Sequence, residues 1–173
     1  ALRCEPLSAV AQHVFTTRQL PLRGGPALQP AAWRDATGAV GGAVERLVRV
    51  KQVHGADIRV LKRGLVNPDA ASETPEADGI VSNEPDLVLS VQVADCVPLL
   101  MADRRTGAVA AVHAGWRGTC SGVARAAVET MVRELGSNPV DVVAAIGPSI
   151  GPCCYTVGEN VLEAFHAHGA TAD

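Results

Sequence analysis

The segment 97-VPLLMADRRTGAVAAVHAGWRGTCSGVARAAVETMVREL-135 contains two apolar runs followed by a long amphipathic stretch. Residues 97–102 and 108–113 are short and apolar and are separated by a polar turn, which predicts two neighbouring β-strands. Residues 119–135 carry an apolar side chain at every fourth position, which predicts a helix with one buried stripe made of Val123, Ala127, Met131 and Leu135. Gly136 is placed to end that helix.

The rest of the chain has mostly strand-like segments first and helical segments later. Six further short runs are typical of strands: residues 13–17, 47–52, 58–62, 79–82, 87–94 and 140–146. Irregular connections are expected at residues 21–30, 37–42 and 67–77. Thr156 and Glu159 form a T-x-x-E capping box, which predicts the start of a second helix. Clusters of strands followed by helices, rather than alternating strand–helix units, predict an α+β fold.

Composition and charge exclude several classes of protein. The 173 residues can bury a sizeable core, so we expect residues 1–173 to form a single domain. A formal net charge of −3 argues against binding nucleic acid or anionic membranes by bulk electrostatics, and an aromatic content of 3% argues against base stacking. The sequence has no apolar stretch of transmembrane length and no signal-peptide pattern at its N-terminus. Five cysteines without the spacing of a small disulfide scaffold favour a reduced, cytoplasmic location.

Cys96 is the first candidate for a chemical role. It follows Asp95 and precedes Pro98 by two residues inside an otherwise apolar run, and Asp and Pro are poor residues for a strand interior. The strand is therefore expected to end or bend at Cys96, and active groups are common at such positions. Free cysteines are also among the most buried residues, so Cys96 can alternatively be a small core residue.

Two histidines are candidate partners of this thiol. His113 ends an apolar run just before a glycine-containing turn, whereas His54 lies between two predicted strands and can also be an ordinary loop histidine. One cysteine and two histidines form a ligand set known for catalytic zinc, with the fourth position left for water or substrate. The same residues also suit a thiol nucleophile with His113 or His54 as its base.

The turn after His113 is a candidate anion site. Residues 115–119, Gly-Trp-Arg-Gly-Thr, join a strand to the start of a helix, where free backbone N–H groups and the helix dipole favour an anion. Arg117 adds a guanidinium suited to phosphate or carboxylate. A tight turn with an exposed Arg117 explains the same residues equally well, so this segment alone favours neither interpretation.

Four blocks of the chain resemble the YfiH/LACC1 family, also called the multicopper polyphenol oxidoreductase laccase family. They are residues 51–55 (KQVHG), 77–98 (ADG through ADCVP), 112–119 (VHAGWRGT) and 146–155 (IGPSIGPCCY), and residues 15–18 (FTTR) are similar to the family's N-terminal strand. The resemblance implies mixed β-sheets packed in a sandwich with flanking helices. It also implies a metal site, normally zinc, formed by His54, Cys96 and His113.

The resemblance further implies an enzyme that acts on purine nucleosides and phosphate. Members are described as phosphorolysing adenosine, inosine, guanosine and methylthioadenosine and as deaminating adenosine. On this basis Arg117 is the candidate phosphate ligand and Arg18 a second one. Asp95 is a candidate for handling protons or supporting a metal ligand, and Gln52 for contacting the substrate or orienting a ligand.

The chain departs from the family pattern in two places. Residues 19–47 are shortened and lack the family's glycine-rich GGVS-type loop and Asn-Leu-Gly segment, and the family's C-terminal strands and basic segment are absent. We therefore expect a domain without the family's C-terminal part. Three other functions stay open from the sequence: a copper-dependent polyphenol oxidase, a metal-free cysteine hydrolase, and a protein that binds a ligand without turning it over.

Overall fold

The computed structural model describes residues 1–65 and 74–169. In these two ranges the strands are β1 (Leu47–Val48), β2 (Ile58–Leu61), β3 (Gly79–Ser82), β4 (Val88–Leu89), β5 (Val97–Asp103), β6 (Val109–Ala114) and β7 (Val142–Ile146). The α-helices are α1 (Glu5–Ser8), α2 (Pro30–Gly38), α3 (Trp116–Cys120), α4 (Val123–Leu135) and α5 (Glu159–Ala167). Short 3-10 turns lie at Val44–Arg46 and Pro139–Asp141. The mixture of strand clusters and helices confirms the predicted α+β class.

Five of the strands form one mixed sheet in the order β2-β3-β6-β5-β7. β2 and β3 are parallel, whereas the other three pairings are antiparallel. β1 and β4 form a separate two-stranded parallel sheet. The strands predicted on either side of the 103–107 turn are β5 and β6, and their register places Pro98 opposite His113.

Helix α4 covers one face of the five-stranded sheet. The predicted stripe on this helix is buried against side chains of β3, β5 and β6, among them Val81, Met101 and Val112. Each fully buried side chain of this size contributes roughly 1.5–3 kcal/mol relative to an exposed one. The helix ends at Leu135 with Gly136 as its cap, as predicted.

The opposite face of the sheet is covered in two parts. Leu7 of α1 and Phe15 pack against residues of β5 and β7, including Val143. The small sheet packs through Val48 against Ile80 of β3, with Leu61 of β2 in the same cluster. This second contact positions the chain segments that follow β1 and β4, and those segments carry the candidate residues at positions 54 and 96.

The helix predicted over residues 119–135 is interrupted. α3 begins at Trp116, three residues earlier than predicted, and α4 starts anew at Val123. Gly122 lies between them with a φ of 77°, a left-handed conformation that glycine adopts readily. The four-residue apolar spacing located α4 correctly but contained no sign of this break.

Several other predicted boundaries are wrong. Within the described residues, the strand expected at 13–17 is reduced to a single bridge between Leu2 and Phe15. The strands expected at 47–52 and 87–94 are two residues long, and α2 overlaps the irregular connections expected at 21–30 and 37–42 at its two ends and was not predicted as a helix. The predicted capping box does not form: α5 starts at Glu159, directly after Gly158, and has no side-chain cap. Of the connection expected at 67–77, residues 67–73 lie outside the described part of the chain.

Across the described ranges, the helices are all too short or too polar to cross a lipid bilayer.

Candidate metal centre

His54, Cys96 and His113 lie together although they are far apart in the sequence. Their ligand atoms, one from each residue, are all within 4.8 Å of one another. The two imidazole rings are 4.7 Å apart between centroids and nearly perpendicular, at 84°. His113 is buried, Cys96 is half-buried and His54 is exposed. The cluster is therefore enclosed on the strand side and accessible on the loop side.

Strand pairing explains how Cys96 and His113 meet. β5 and β6 place Val97 opposite Ala114, and Cys96 directly precedes that pair. β3 and β6 place Gly79 opposite Val112, so Asp78 lies beside His113. The His113 N–H donates to the main-chain carbonyl of Asp78 at 2.7 Å, which continues the ladder by one residue. Two antiparallel registers thus bring residues 78, 96 and 113 to the same end of the sheet.

Asp78 connects two of the candidate ligands. Its side chain is fully buried, and its Oδ1 accepts a hydrogen bond from His113 Nδ1 at 2.7 Å. The same carboxylate accepts the main-chain N–H groups of Val53, His54 and Gly55 at 3.2, 2.9 and 2.6 Å. Burial by itself raises the pKa of Asp78, but these hydrogen bonds outweigh it and hold the pKa below its ordinary value. Asp78 is therefore an ionised acceptor that joins the His113 ring to the His54 loop.

Asp78 was not among the site residues predicted from the sequence. One signal was present: Asp78 directly precedes the apolar run 79–82, and a carboxylate that is buried with such a strand needs hydrogen-bond donors. Those donors lie 23 to 35 residues away, so the sequence gives no means of identifying them. Because Asp78 accepts from Nδ1, Nε2 is the His113 nitrogen left for a metal ion.

The backbone at His54 has an unusual conformation. Its φ is 63°, and among the described residues His54 is the one non-glycine residue with a positive φ. Histidine is several-fold enriched in this region relative to most residues, but the conformation still has a cost. The three N–H groups that converge on the Asp78 carboxylate offset that cost. The loop therefore keeps its shape through a contact with the residue that also orients His113.

Gln52 ties the His54 loop to the segment that carries Cys96. Its side-chain amide donates to the main-chain oxygen of Gln92 at 2.7 Å and accepts from the Gln92 N–H at 2.8 Å. These two bonds resemble a strand pairing and extend the β1–β4 sheet beyond Val48. Gln52 precedes His54 by two residues, and Gln92 precedes Cys96 by four. The Gln52–Gln92 hydrogen bonds therefore connect the two segments that carry the candidate ligands His54 and Cys96.

Gly115 lies where the three candidate ligands meet. A Cβ atom added there would be 2.8 Å from His54 Cδ2, 3.3 Å from Cys96 Sγ and 3.6 Å from His113 Cε1. The first of these distances is shorter than any ordinary carbon–carbon contact. Only glycine therefore leaves the three side chains in their present positions.

The Cys96 thiol is not activated by its surroundings in the metal-free protein. Burial, followed by the negative charges of Asp95 and Asp78, raises the pKa of Cys96 above its ordinary value. The neutral thiol then predominates at pH 7, and it is the thiolate that acts as a nucleophile. A cation held by His54, Cys96 and His113 would favour the thiolate, because metal binding releases the thiol proton. Burial and the two carboxylates therefore both oppose thiolate formation at Cys96.

The predicted anion ligands lie on the surface. Arg117 belongs to α3, and its guanidinium carbon is 4.3 Å from the centroid of the Trp116 ring. The same helix packs directly on the His54 loop, since a Cβ at Gly118 would lie 2.6 Å from the carbonyl oxygen of Gly55. Arg18 is exposed in the irregular segment after Phe15 and is not among the groups that converge.

Asp95 and Gln52, the remaining predicted site residues, differ in how freely their side chains can act. The Asp95 side chain is exposed and immediately precedes Cys96. The Gln52 amide uses one donor and its acceptor on the main chain of Gln92. Asp95 is therefore the more available of the two for contact with a substrate.

Comparison with known proteins places this arrangement in a family. Residues 30–173 match the family described as multi-copper polyphenol oxidoreductase laccase. The chain is 43% identical over 134 residues to purine nucleoside phosphorylase YfiH of Escherichia coli K12, which covers 78% of this chain and 51% of that protein. It is 39% identical over 133 residues to human purine nucleoside phosphorylase LACC1, which covers 77% of this chain and 29% of that protein.

A solved structure shows the same fold. The crystal structure of YlmD from Geobacillus stearothermophilus matches with a TM-score of 0.70 at 35% identity, over 79% of this chain and 52% of that one. The chain thus spans about half, or less, of the length of these relatives. The match confirms the α+β fold of mixed sheets and helices, and the family match confirms the resemblance noted in the four sequence blocks. The chain belongs to the multi-copper polyphenol oxidoreductase laccase family, also known as the YfiH family.

Proposed function

We propose that this chain provides the metal centre of a zinc-dependent enzyme acting on purine nucleosides. The observation that carries the proposal is the convergence of His54, Cys96 and His113 around Gly115, with the Asp78 carboxylate behind them. The E. coli and human relatives are both named purine nucleoside phosphorylases. The proposed substrates are adenosine, inosine, guanosine and methylthioadenosine with phosphate, and adenosine alone for deamination.

The chemistry of the donor set suits zinc. One thiolate and two imidazoles are a usual zinc ligand set with one position left open. Neighbouring ligands of a tetrahedral zinc ion are roughly 3.3–3.8 Å apart, and here all three ligand atoms lie within 4.8 Å of one another. The His113–Asp78 hydrogen bond is the carboxylate–histidine arrangement that commonly supports zinc ligands. When bound, zinc supplies Lewis acidity at the open position.

Phosphorolysis replaces the bond between C1′ of the ribose and the purine nitrogen by a bond from C1′ to a phosphate oxygen. Arg117 is the proposed phosphate ligand, because a guanidinium pairs with two phosphate oxygens and its plane is held against Trp116. Arg18 is the second proposed contact to phosphate. The departing purine needs a proton on its nitrogen, and the exposed Asp95 carboxylate beside Cys96 is the proposed group that handles it.

Deamination requires different proton transfers at the same cluster. Water adds to C6 of adenine and ammonia leaves, so the water must lose a proton and the amino group must gain one. Asp95 is again the exposed carboxylate next to the cluster. His113 has a positioning role in this proposal, because the Asp78 carboxylate accepts its Nδ1–H and so fixes the orientation of the ring.

Metal content and product analysis test the proposal. Zinc-loaded protein is incubated with adenosine, with and without phosphate, in the absence of dioxygen. We expect adenine and ribose 1-phosphate only with phosphate, and inosine in both cases. Cys96→Ala protein is expected to lose zinc and both products, whereas Cys4→Ala, the matched change at another half-buried cysteine, keeps them. Full turnover by Cys96→Ala protein or by chelator-treated protein would contradict the proposal.

The family description supports one second candidate, a copper-dependent polyphenol oxidase. One thiolate and two imidazoles also suit copper. The test is dioxygen uptake with a phenol, compared between copper-loaded and zinc-loaded protein. Uptake by copper-loaded protein alone, together with no nucleoside turnover by zinc-loaded protein, would favour the oxidase.

A further inference from the structure

Cys153 and Cys154 form a pair of neighbouring thiols that the metal centre does not use. Their Sγ atoms are 3.0 Å apart, although side chains of adjacent residues often point in different directions. Both residues are exposed, whereas the other three cysteines are half-buried. An exposed dithiol is therefore presented separately from the candidate ligand Cys96.

A β-turn holds the two thiols together. The Cys154 N–H donates to the carbonyl oxygen of Gly151 at 3.0 Å, which closes the turn over residues 151–154. Pro152 occupies the second position, where its fixed φ favours a turn. The backbone around both cysteines is thus restrained before any reaction occurs.

The surroundings favour a bond between the sulfurs over a shared metal ion. Structural zinc sites use four protein ligands and catalytic sites three. In the described residues, groups of three or more potential ligands include His54, Cys96 and His113 but neither Cys153 nor Cys154. Two thiols without further ligands are suited to disulfide exchange, since exchange requires a second thiol close to the first.

We propose that Cys153 and Cys154 are a site of thiol–disulfide exchange, at which a low-molecular-weight disulfide such as oxidised glutathione closes a disulfide between adjacent residues. One protein thiolate attacks a sulfur of glutathione disulfide, which forms a mixed disulfide and releases one glutathione thiolate. The second cysteine, as thiolate, attacks the protein sulfur of the mixed disulfide and releases the other glutathione. The protein loses two thiol protons and two electrons, and the oxidant becomes two glutathione thiols.

The contact between the thiols places the second cysteine for the resolving step. Its sulfur lies 3.0 Å from the sulfur that carries the mixed disulfide, whichever of the two cysteines reacts first. The segment before the turn is tied to the neighbour of Cys96, because the Ile150 N–H donates to the carbonyl oxygen of Asp95 at 3.0 Å.

Peptide mapping after treatment with oxidised glutathione tests the proposal. We expect the peptide containing both cysteines to lose two hydrogens without gaining glutathione, and a reductant to restore it. The Cys153→Ser variant is expected to keep glutathione on Cys154 at roughly tenfold or more the level on the wild-type pair, because no second thiol resolves the adduct. The Cys120→Ala variant, changed at a half-buried cysteine, should still form the disulfide between Cys153 and Cys154.

Three outcomes would overturn the proposal. They are no oxidation of the wild-type pair, a glutathione adduct that persists on the wild-type pair, and a disulfide from either residue to Cys4, Cys96 or Cys120. Circular dichroism of the two variants establishes that they are folded, so that a negative result reports on the chemistry of the pair.

Discussion

Asp78 and Asp103 are two equally buried aspartates at opposite ends of the same sheet, and their carboxylates accept hydrogen bonds from different parts of the chain. Both side chains have 0% of their surface exposed. Asp103 ends β5 and accepts hydrogen bonds from two main-chain N–H groups two and three residues further along its own turn. Asp78 precedes β3 and accepts from the His113 ring and from the His54 loop, 23 to 35 residues away. Burial is the same, so the two carboxylates differ in what they join: Asp103 organises the turn after β5, whereas Asp78 connects two candidate metal ligands.

The largest effect is expected from removing the charge of Asp78. An Asp78→Asn side chain keeps the size but loses an acceptor, so it no longer holds both the His113 ring and the three loop N–H groups. Loss of such a supporting carboxylate lowers metal affinity by about 10–100-fold. Competition with a chromophoric zinc chelator measures the change.

Asp103→Asn is the matched control for this experiment. It removes a carboxylate of the same burial whose partners are the Arg105 and Thr106 groups of the following turn and the Ser137 side chain, none of which is a candidate metal ligand. We expect its zinc affinity to equal that of the wild type. Equal losses of affinity in both variants would mean that general destabilisation, rather than the Asp78–His113 contact, controls binding.

The second prediction concerns acid stability and uses Asp103, the other carboxylate of the comparison. Burial raises its pKa, but hydrogen bonds from the Arg105 N–H, the Ser137 side chain and Thr106 outweigh this and lower the pKa to about 2 from an ordinary 3.8. Because the folded pKa is depressed, the ionised form stabilises the fold above about pH 4, by about 2 kcal/mol, and this contribution is lost as the pH falls toward 2.

Urea unfolding of metal-free protein at several pH values checks this sign. The Asp103→Asn variant is expected to be less stable at neutral pH by about 2 kcal/mol and to depend less on pH between about 4 and 2. An unchanged slope in the variant would show that other carboxylates dominate the acid transition.

The third prediction tests the space at the ligand cluster. In Gly115→Ala protein the added methyl group meets His54 and Cys96, so the exposed His54 must move outward. We expect zinc affinity to fall by about tenfold, close to the smaller losses seen when ligand positioning is disturbed. Gly38→Ala is the control, because a Cβ at Gly38 has no heavy atom within 4 Å. Crystal structures of both variants test the steric explanation. Unchanged positions of His54, Cys96 and His113 in the Gly115→Ala variant would refute it.

The smallest effect is expected at the loop connection. Gln52→Leu removes both hydrogen bonds to the main chain of Gln92 and leaves those two groups without this partner. Each bond contributes about 1 kcal/mol, part of which is recovered by water. We therefore expect zinc affinity to decrease about threefold, with a cobalt-loaded spectrum that shows a changed ligand field. Gln19→Leu, at an exposed position, should leave both readouts unchanged.

Local patterns predicted some elements of the fold well and others poorly. The four-residue stripe located α4, and continuous apolar runs located β3, β5, β6 and β7 to within two residues. The helix break at Gly122 was missed because the apolar pattern continues across it. α2 was missed because its residues are mostly small and only Trp33 and Thr37 are buried.

The candidate site was also predicted in part from the sequence. The residue types at positions 54, 96 and 113 suggested a shared metal ion, and the family resemblance selected the same three residues. The local sequence contains nothing that reveals the left-handed backbone of His54, the close approach at Gly115 or the pairing of Gln52 with Gln92. Each of these depends on a neighbour more than twenty residues away.

The amino-acid sequence was sufficient to indicate the α+β class, the chemistry of the possible ligands and the burial of one helix face, because these depend on residue type and on short-range periodicity. The packing of two sheets and the register of three strands were needed to place Asp78 against His113 and Cys96 against Gly115. A buried carboxylate such as Asp78 needs several donors, and the donors of Asp78 come from segments that meet only after the chain has folded.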